Sequence, residues 1–489
     1  MLWYLLLWAP KMDDNIEGRS SNHKWLLLIL ILAFITRLYG LSAPPWDYHN
    51  WRQTVTLMVA RNFARHGFAL LHPQVLWIAH TQPSDPSYFS AEFSFQSVIA
   101  AFMYKLFGES EAIPRLVVIA FSLSGIYFLY RLVRRHAGPL AACLAAFIYS
   151  MLPFHLFFGR VFMPDVPALS LAIAALDFLD RWVDYPNWRM LIGAAVLAAL
   201  APLQKLTVAF IALPALYLFW LVYGKHLVVR LQPYVFATVT FLPSIIWYGH
   251  AMSLARQSGF AMQPYRVGSH LELWSNASFL RQVQSALVEA FSPIGLLLVV
   301  LGVFWNAGGR TVWLCRLWLA GAGATLILIP ELLPENHYYL SLLLPGAAGL
   351  AALGLTRLTP NRYAYLLLAI VLVLYSVGAV YSATPFYIAD RWPWELGRLL
   401  NSLTAPNDLI ITESGGSPNI LYYADRRGWM LSRTYDLAFI ERLVTAGARY
   451  YAALDTDDQP DFLRAMDARY ERILPPREHS GWHIYRLAP

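Results

Sequence analysis

The feature that most constrains this chain is a series of apolar runs, each about 20 residues long, that recurs over most of the sequence. A helix of about 20 apolar residues is the length that crosses a bilayer core. Of the 489 residues, 58% are hydrophobic and 14% are charged. A soluble domain carries about 25% charged residues. The sequence therefore predicts an α-helical polytopic membrane protein.

We predict about eleven transmembrane helices from these runs. The predicted spans are residues 25–42, 114–133, 139–158, 165–181, 189–204, 206–223, 228–249, 288–306, 312–330, 338–356 and 363–383. The shorter apolar segment 94–108 is predicted to lie on the membrane surface as a helix, with a further span as the alternative.

Basic residues cap these spans mainly on one side. The loop 131–138 carries Arg131, Arg134 and Arg135, and later alternate loops are also basic. By the positive-inside rule this side faces the cytoplasm. The net charge of +7 is therefore a membrane-topology signal, and we exclude nucleic acid as a partner. The long first loop, residues 43–113, is predicted to lie on the other side, which is the periplasm or the cell exterior if the protein sits in the inner (plasma) membrane.

The tail changes character at about residue 385. Strand-like segments (NDLIITESG, GWMLS, ARYYAALD) alternate there with helix-like ones (SPNILYYADR, DLAFIERLVTAG, PDFLRAMDAR). This alternation predicts a small α/β domain with a largely parallel sheet. We therefore divide the chain into a transmembrane domain, residues 1–384, and a soluble extracytoplasmic domain, residues 385–489.

The stretch WDYHNWRQ at the start of the first loop is unusually polar for a position beside a membrane span. Asp47 could take a proton from an acceptor hydroxyl or bind a divalent metal such as Mg²⁺ or Mn²⁺, although the sequence requires no cofactor. Arg52 suits a phosphate, and His49 and Gln53 suit sugar hydroxyls. The alternative is an aromatic interfacial belt with solvated charges.

Two further outer junctions carry ionisable groups. Arg160 and Asp165 lie in FFGRVFMPDVPALS, where almost no loop separates two spans. Charges at such a depth are costly and tend to be functional or paired, so an Arg160–Asp165 pair is the alternative to catalysis. Lys205 interrupts a long apolar stretch and could hold a lipid phosphate or snorkel at a tight turn.

Glu92 precedes the surface segment, and His337 with Tyr338 begins a late span. Glu92 could act in catalysis, pair with an arginine or cap a helix, and His337 and Tyr338 could contact the sugar or acceptor. Taken together, cations at the membrane boundary and carboxylates above them are what a phosphate on a long apolar chain needs.

In order and sidedness these motifs resemble the polytopic glycosyltransferases of the GT-C superfamily, in the branch of protein O-mannosyltransferases and lipid A aminoarabinose transferases. The resemblance covers roughly residues 25–385 and is carried by Asp47 with NWRQ, PQVLW, Glu92 ahead of YKLFGESEAIPRL, RVFMPDVPALS, LQKLTV and HYYLSLLLP. It implies a polyprenyl-phosphate-linked sugar donor and transfer on the periplasmic or lumenal side. It also implies Asp47 as the catalytic aspartate of the first loop, Asp165 as a second acidic position and Lys205 as a cation near the lipid phosphate.

Two departures leave the acceptor open between a lipid, a glycan and a protein. Phe93-Ser94-Phe95 follows Glu92 where the family often has a proline-rich segment, and Asp47-Tyr48 stands where some branches have Asp-Glu. Two other functions also stay open, a non-enzymatic lipid or glycan flippase or transporter and an oligosaccharide ligase or polymerase. Transporters more often show internal repeats and polar groups at mid-membrane, and neither is evident here. The sequence therefore favours an inverting hexosyl or pentosyl transferase.

Overall fold

The computed structural model describes residues 16–79, 87–258, 267–305, 308–334, 336–358, 362–432, 436–454, 460–475 and 481–487. Its helices are α1 Ile16–Arg37, α2 Asn50–His66, α3 Phe95–Phe107, α4 Ala112–Met151, α5 Pro153–Phe158, α6 Asp165–Asp184, α7 Trp188–Gln204, α8 Ala212–Tyr223, α9 Leu231–Ser258, α10 Ala277–Phe291, α11 Pro293–Trp305, α12 Arg310–Leu328, α13 Leu344–Arg357, α14 Arg362–Ala383, α15 Trp392–Leu403, α16 Asn419–Ala424, α17 Leu437–Thr445 and α18 Pro460–Arg469. Short 3₁₀ helices lie at Leu206–Ile211, Gly224–Val229, Leu271–Ser275, Pro330–Leu332, His337–Leu343 and Thr384–Tyr387.

Within these described ranges, six helical stretches are long and apolar enough to cross a membrane. They are Ala112–Met151, Leu206–Val229, Leu231–Arg256, Arg310–Leu328, His337–Arg357 and Tyr363–Leu403. A bent pair, α10 with α11, would add a seventh. Every predicted span overlaps a helix, but the count of eleven stays a prediction, because helices such as α7, with 17 residues, are short for a span.

Two helix breaks follow from local sequence. Within α4, Gly138 has φ 81° and ψ 176°, which suits glycine, and Pro139 follows it. The predicted span 288–306 includes a corner, at which α10 and α11 meet at 93°. Ser292 lies at this corner with φ 61°, and Pro293 starts the next helix, so the bend stands at a residue that leaves helical geometry.

Close helix packing uses small residues. A Cβ on Gly302 of α11 would lie 2.3 Å from the carbonyl oxygen of Leu350 in α13, and one on Gly125 of α4 would lie 2.6 Å from Oγ of Ser170 in α6. Small residues that let backbones approach are typical of membrane helix interfaces, where dispersion contacts rather than water exclusion stabilise the bundle.

The tail contains a five-stranded sheet. Its strands are β1 Leu409–Glu413, β2 Gly428–Leu431, β3 Ala448–Ala453, β4 Glu471–Ile473 and β5 His483–Arg486, in the order β2-β1-β3-β5-β4. The pairs β1–β2 and β1–β3 are parallel, whereas β5 pairs antiparallel with β3 and β4. The sheet is thus mixed rather than largely parallel, because the connection 474–482 is shorter than the roughly dozen residues that a parallel crossover needs.

Candidate active site

The first loop reverses sharply before α2. His49 precedes the helix with φ 56° and ψ 36°, a left-handed conformation that is uncommon outside glycine and less so for His, Asn and Asp. Backbone bonds fix this corner to the region after α14: the N–H of Tyr48 donates to the carbonyl of Phe386 at 3.1 Å, and the N–H of Asp390 donates to that of Trp46 at 2.8 Å. Asp47 is thereby held beside the first turn of α2.

The first ion pair of the site joins Asp47 and Arg160. Nη2 of Arg160 donates to Oδ2 of Asp47 at 2.5 Å, and Nε2 of Gln53 donates to Oδ1 of Asp47 at 2.6 Å. The two charged residues are only 6% and 2% exposed. The guanidinium of Arg160 also lies 4.7 Å from the ring centre of Tyr387, which adds a cation–π contact.

The second pair joins Lys205 and Asp165. The Nζ of Lys205 lies 3.2 Å from Oδ1 of Asp165, and both side chains are buried. Asp165 is the first residue of α6, where the helix dipole favours a negative charge. The same Nζ lies 4.9 Å and 4.4 Å from the ring centres of Tyr338 and Tyr339.

The third pair joins Arg52 of α2 and Glu92. Both side chains are buried, and Arg52 donates a short hydrogen bond to Glu92. Nη1 of Arg52 donates to Oγ1 of Thr56 one turn further along the helix, at 3.2 Å. Burial alone would lower the pKa of Arg52, but the neighbouring carboxylate of Glu92 outweighs it, and the pKa is raised. Arg52 therefore remains charged at any physiological pH.

Aromatic contacts connect the first loop to the second pair. The His49 ring meets the Tyr338 ring edge to face at 4.9 Å. Burial, with His337 and Lys205 nearby, lowers the pKa of His49 to about 4, so its imidazole is neutral near pH 7. Its Nε2 is buried and has no hydrogen-bond partner among the residues that the structure describes.

His337 lies at the edge of this cluster rather than within it. Its Nδ1 is 3.5 Å from Oε2 of Glu289 on α10, and both side chains are partly exposed. His337 is thus more exposed than the paired residues of the cluster.

The contacts separate the alternatives for these residues, and Glu92 does pair with an arginine, Arg52. Arg160 pairs with Asp47, and Asp165 pairs with Lys205, so the alternative of an Arg160–Asp165 pair is not what the structure shows. Asp47 and Arg52 are buried rather than solvated, which does not suit a plain interfacial belt. Lys205 is also buried and does not snorkel.

Sequence reasoning missed Tyr387, Tyr339 and Glu289, which contact Arg160, Lys205 and His337 respectively. Tyr339 was accessible as the neighbour of Tyr338, whereas Tyr387 and Glu289 carry no local signal.

Among the described residues, no group of three or more His, Cys, Asp or Glu side chains is arranged so that it could hold a metal ion. Each of the three predicted carboxylates faces a cation.

Residues 95–247 match the family model described as dolichyl-phosphate-mannose-protein mannosyltransferase, and this segment contains Arg160, Asp165 and Lys205. No curated protein matches the chain significantly.

Solved structures of three proteins share the fold. ArnT from Cupriavidus metallidurans bound to undecaprenyl phosphate is similar with a TM-score of 0.69 and 14% identity, over 95% of this chain and 98% of that one. AglB, the oligosaccharyltransferase of Archaeoglobus fulgidus, in complex with an inhibitory peptide and a dolichol-phosphate, has a TM-score of 0.56 and 13% identity, over 95% of this chain and 74% of that one. The arabinofuranosyltransferase AftD from Mycobacteria has a TM-score of 0.56 and 14% identity, over 95% of this chain and 40% of that one.

These matches confirm the resemblance to the GT-C superfamily, in the branch of the protein mannosyltransferases and ArnT. The chain has a GT-C-type fold, and its apolar helices agree with an integral membrane protein. Fold and family match together support a transferase.

Proposed function

We propose that this protein is an integral-membrane glycosyltransferase that moves a hexosyl or pentosyl group from a polyprenyl-phosphate-linked donor to a lipid, glycan or protein acceptor. Transfer takes place on the extracytoplasmic side of the inner (plasma) membrane. The observation that carries the proposal is the set of three buried ion pairs, each formed by one predicted cation and one predicted carboxylate. The undecaprenyl phosphate of the ArnT complex and the dolichol-phosphate of the AglB complex support a lipid-linked donor.

Because each cation already has a carboxylate partner, a donor phosphate binds by replacing that carboxylate. Without donor, Arg160 and Lys205 are neutralised by Asp47 and Asp165, since an unpaired buried charge is unstable. The donor phosphate, a diester with two charged oxygens, can replace a carboxylate and forms strong charge-assisted hydrogen bonds with both kinds of cation. When it takes over these cations, the carboxylates lose their counter-ions and gain proton affinity.

Asp47 then acts as the base. It removes the proton of the acceptor hydroxyl while the hydroxyl oxygen attacks C1 of the sugar. The bond between C1 and the phosphate oxygen breaks, its electron pair stays on the phosphate, and the configuration at C1 inverts. The cations stabilise the charge that develops on the departing phosphate. Asp165 and Glu92 keep Lys205 and Arg52 in position between turnovers.

The remaining side chains suit the sugar. The buried Nε2 of His49 and the amide of Gln53 offer hydrogen bonds next to Asp47, and the ring of Tyr338 offers an apolar face. A buried polar atom without a protein partner is expected to find one in a ligand or in water. His337, at the edge, is the residue that we assign to the acceptor side.

The proposal is tested by mass spectrometry of glycans and glycolipids from cells that lack the protein, cells that carry it and cells that carry Asp47→Asn. We expect one sugar-modified species in wild-type cells to disappear without the protein. In the Asp47→Asn cells it should fall steeply, because a general base contributes about 10²- to 10⁴-fold to a rate.

The matched control is Asp184→Asn, at the other end of α6. Asp184 also pairs with an arginine, Arg310, at 2.9 Å, but at the opposite end of a 20-residue helix from Asp165. It should leave the modified species in place. Identical profiles in all four cell lines would end the proposal, and wild-type levels with Asp47→Asn would move the base to Asp165.

A further inference from the structure

Helix α2 has two polar faces. One face points to the ion pairs, where Arg52 bonds to Glu92 and Gln53 bonds to Asp47. The other face contacts the tail, through residues spaced by whole turns of the helix. The helix that carries two site residues is therefore also the helix on which the tail rests.

The tail contributes a contact at every third residue from 416 to 425. The pairs are Trp51 Nε1 to the Gly416 carbonyl at 3.2 Å, Thr54 Oγ1 to Asn419 Oδ1 at 2.7 Å, Arg61 Nη1 to the Tyr422 carbonyl at 3.1 Å, and Arg65 Nη1 to Asp425 Oδ1 at 2.8 Å. The two helices α2 and α16 thus run side by side through a row of polar contacts. A separate backbone bond, from the N–H of Ile78 to the carbonyl of Gly428 at 2.7 Å, attaches the first loop to the edge strand β2.

The contacts in this row differ in how strongly they can hold α2 against the tail. At the far end, Arg65 and Asp425 are 38% and 32% exposed, and an exposed ion pair stabilises little. At the near end, Thr54 and Asn419 are 0% and 3% exposed, so Oδ1 of Asn419 without Thr54 would be a buried, unsatisfied acceptor, whereas Oγ1 of Thr54 also lies 3.0 Å from the carbonyl of Trp51 in its own helix. Thr54 directly follows Gln53 in sequence.

We infer that Asn419 is a positioning residue for the transfer site, acting through Thr54 on the rotation of α2. This rests on the proposed function for its catalytic consequence. Successive helical residues point about 100° apart, so holding Thr54 against the tail fixes where Arg52 and Gln53 point. A small displacement of such residues is costly, since a shift of about 1 Å can lower a rate about 10²-fold. The tail is then part of the machinery that shapes the site.

The experiment compares full-length Asn419→Leu, Asn419→Asp and Tyr485→Phe. Leucine removes the acceptor at similar size, whereas aspartate keeps it and suits the first position of a helix. Tyr485→Phe removes a different tail hydrogen bond, from the Tyr485 hydroxyl to Oδ1 of Asp467 at 2.9 Å, which lies away from α2. Hydrogen exchange of residues 50–66 is measured on purified protein, and transfer is measured as the modified-to-unmodified ratio in cells.

We expect amide exchange in 50–66 to rise about tenfold in Asn419→Leu and transfer to fall about tenfold, as the loss of one hydrogen bond worth about 1.4 kcal/mol predicts. Asn419→Asp and Tyr485→Phe should match the wild type in both. If Asn419→Leu fails to insert, Thr54→Val removes the same bond from the other side.

Unchanged exchange of 50–66 in Asn419→Leu would overturn the inference whether or not any transfer is seen. Raised exchange with a wild-type transfer ratio would also overturn it, because α2 would have loosened without effect on the reaction. If the wild type transfers no sugar but exchange still rises, the coupling of the tail to α2 stands and only the proposed function fails.

Discussion

Replacing Asp47 by asparagine is expected to tighten the binding of undecaprenyl phosphate while it abolishes transfer. Arg160 is only 2% exposed, and its carboxylate partner is Asp47, at 2.5 Å. Removing one member of a buried pair destabilises a protein by about 3–5 kcal/mol, because the other charge is left uncompensated. A phosphate that reaches Arg160 in the variant recovers part of that loss, whereas in the wild type it must first displace Asp47.

The size of the effect follows from this difference. If phosphate recovers about 3 kcal/mol of the penalty, the dissociation constant falls about 100-fold, since each tenfold change corresponds to about 1.4 kcal/mol. Stacking of Arg160 on Tyr387, 4.7 Å away, stays in both proteins and does not alter the comparison. The variant should therefore melt at a lower temperature without ligand and regain most of the loss at saturating undecaprenyl phosphate.

The assay is thermal unfolding of detergent-solubilised wild type, Asp47→Asn and Asp184→Asn over a series of undecaprenyl phosphate concentrations. The control variant loses a carboxylate that also pairs with an arginine, but one that is 34% exposed and far from the site, so its dissociation constant should equal that of the wild type. Equal or weaker binding by Asp47→Asn would refute the partner exchange, and with it the role of Arg160 as a phosphate ligand.

Two further predictions concern pH and topology. Burial, with His337 and Lys205 nearby, lowers the pKa of His49 from 6.5 to about 4, so the stability contributed by its neutral ring is complete above about pH 6.5 and is lost as the pH falls toward 4. The wild type should lose up to about 3 kcal/mol more than His49→Asn over that window, read from melting temperatures, and parallel curves would contradict the burial of a neutral ring. A cysteine placed in 385–489 should react with an impermeant thiol reagent from outside the cell, and one placed in 131–138 should not; the reverse pattern would put the site in the cytoplasm.

Most helices and three of the strands could be predicted because apolar runs and strand-helix alternation can be read from neighbouring residues alone. The alternation in the tail located β1, β2 and β3 within a few residues, and each apolar run overlaps a helix. The corner between α10 and α11 was missed although Ser292-Pro293 marks it, because hydropathy averages across the break and records only a continuous apolar run. The antiparallel strands were missed because pairing direction depends on the connection rather than on the strand.

The candidate residues of the site were proposed from sequence, but their pairing could not be predicted from it. Asp47 and Arg160 are separated by 113 residues, and Arg52 and Glu92 by 40. Which cation meets which carboxylate depends on how the first loop folds back over the bundle, and that is fixed by contacts such as Tyr48 with Phe386 that leave no local pattern. The nearest candidates in sequence, Arg160 and Asp165, suggested a pair that the fold does not make.

The pairing also bears on product release. A site of three bare buried cations would be unstable when empty and would hold polyprenyl phosphate, the product, as firmly as the donor. With a carboxylate beside each cation, the empty site is neutral over its three pairs, and each returning carboxylate competes with the phosphate for its cation. On the proposed mechanism, the carboxylates thus limit how tightly the product is held, because the phosphate carries its full charge once the sugar has left. The same reasoning explains why Asp47→Asn should bind product tightly and turn over poorly: it removes both the base and the competitor that expels the phosphate.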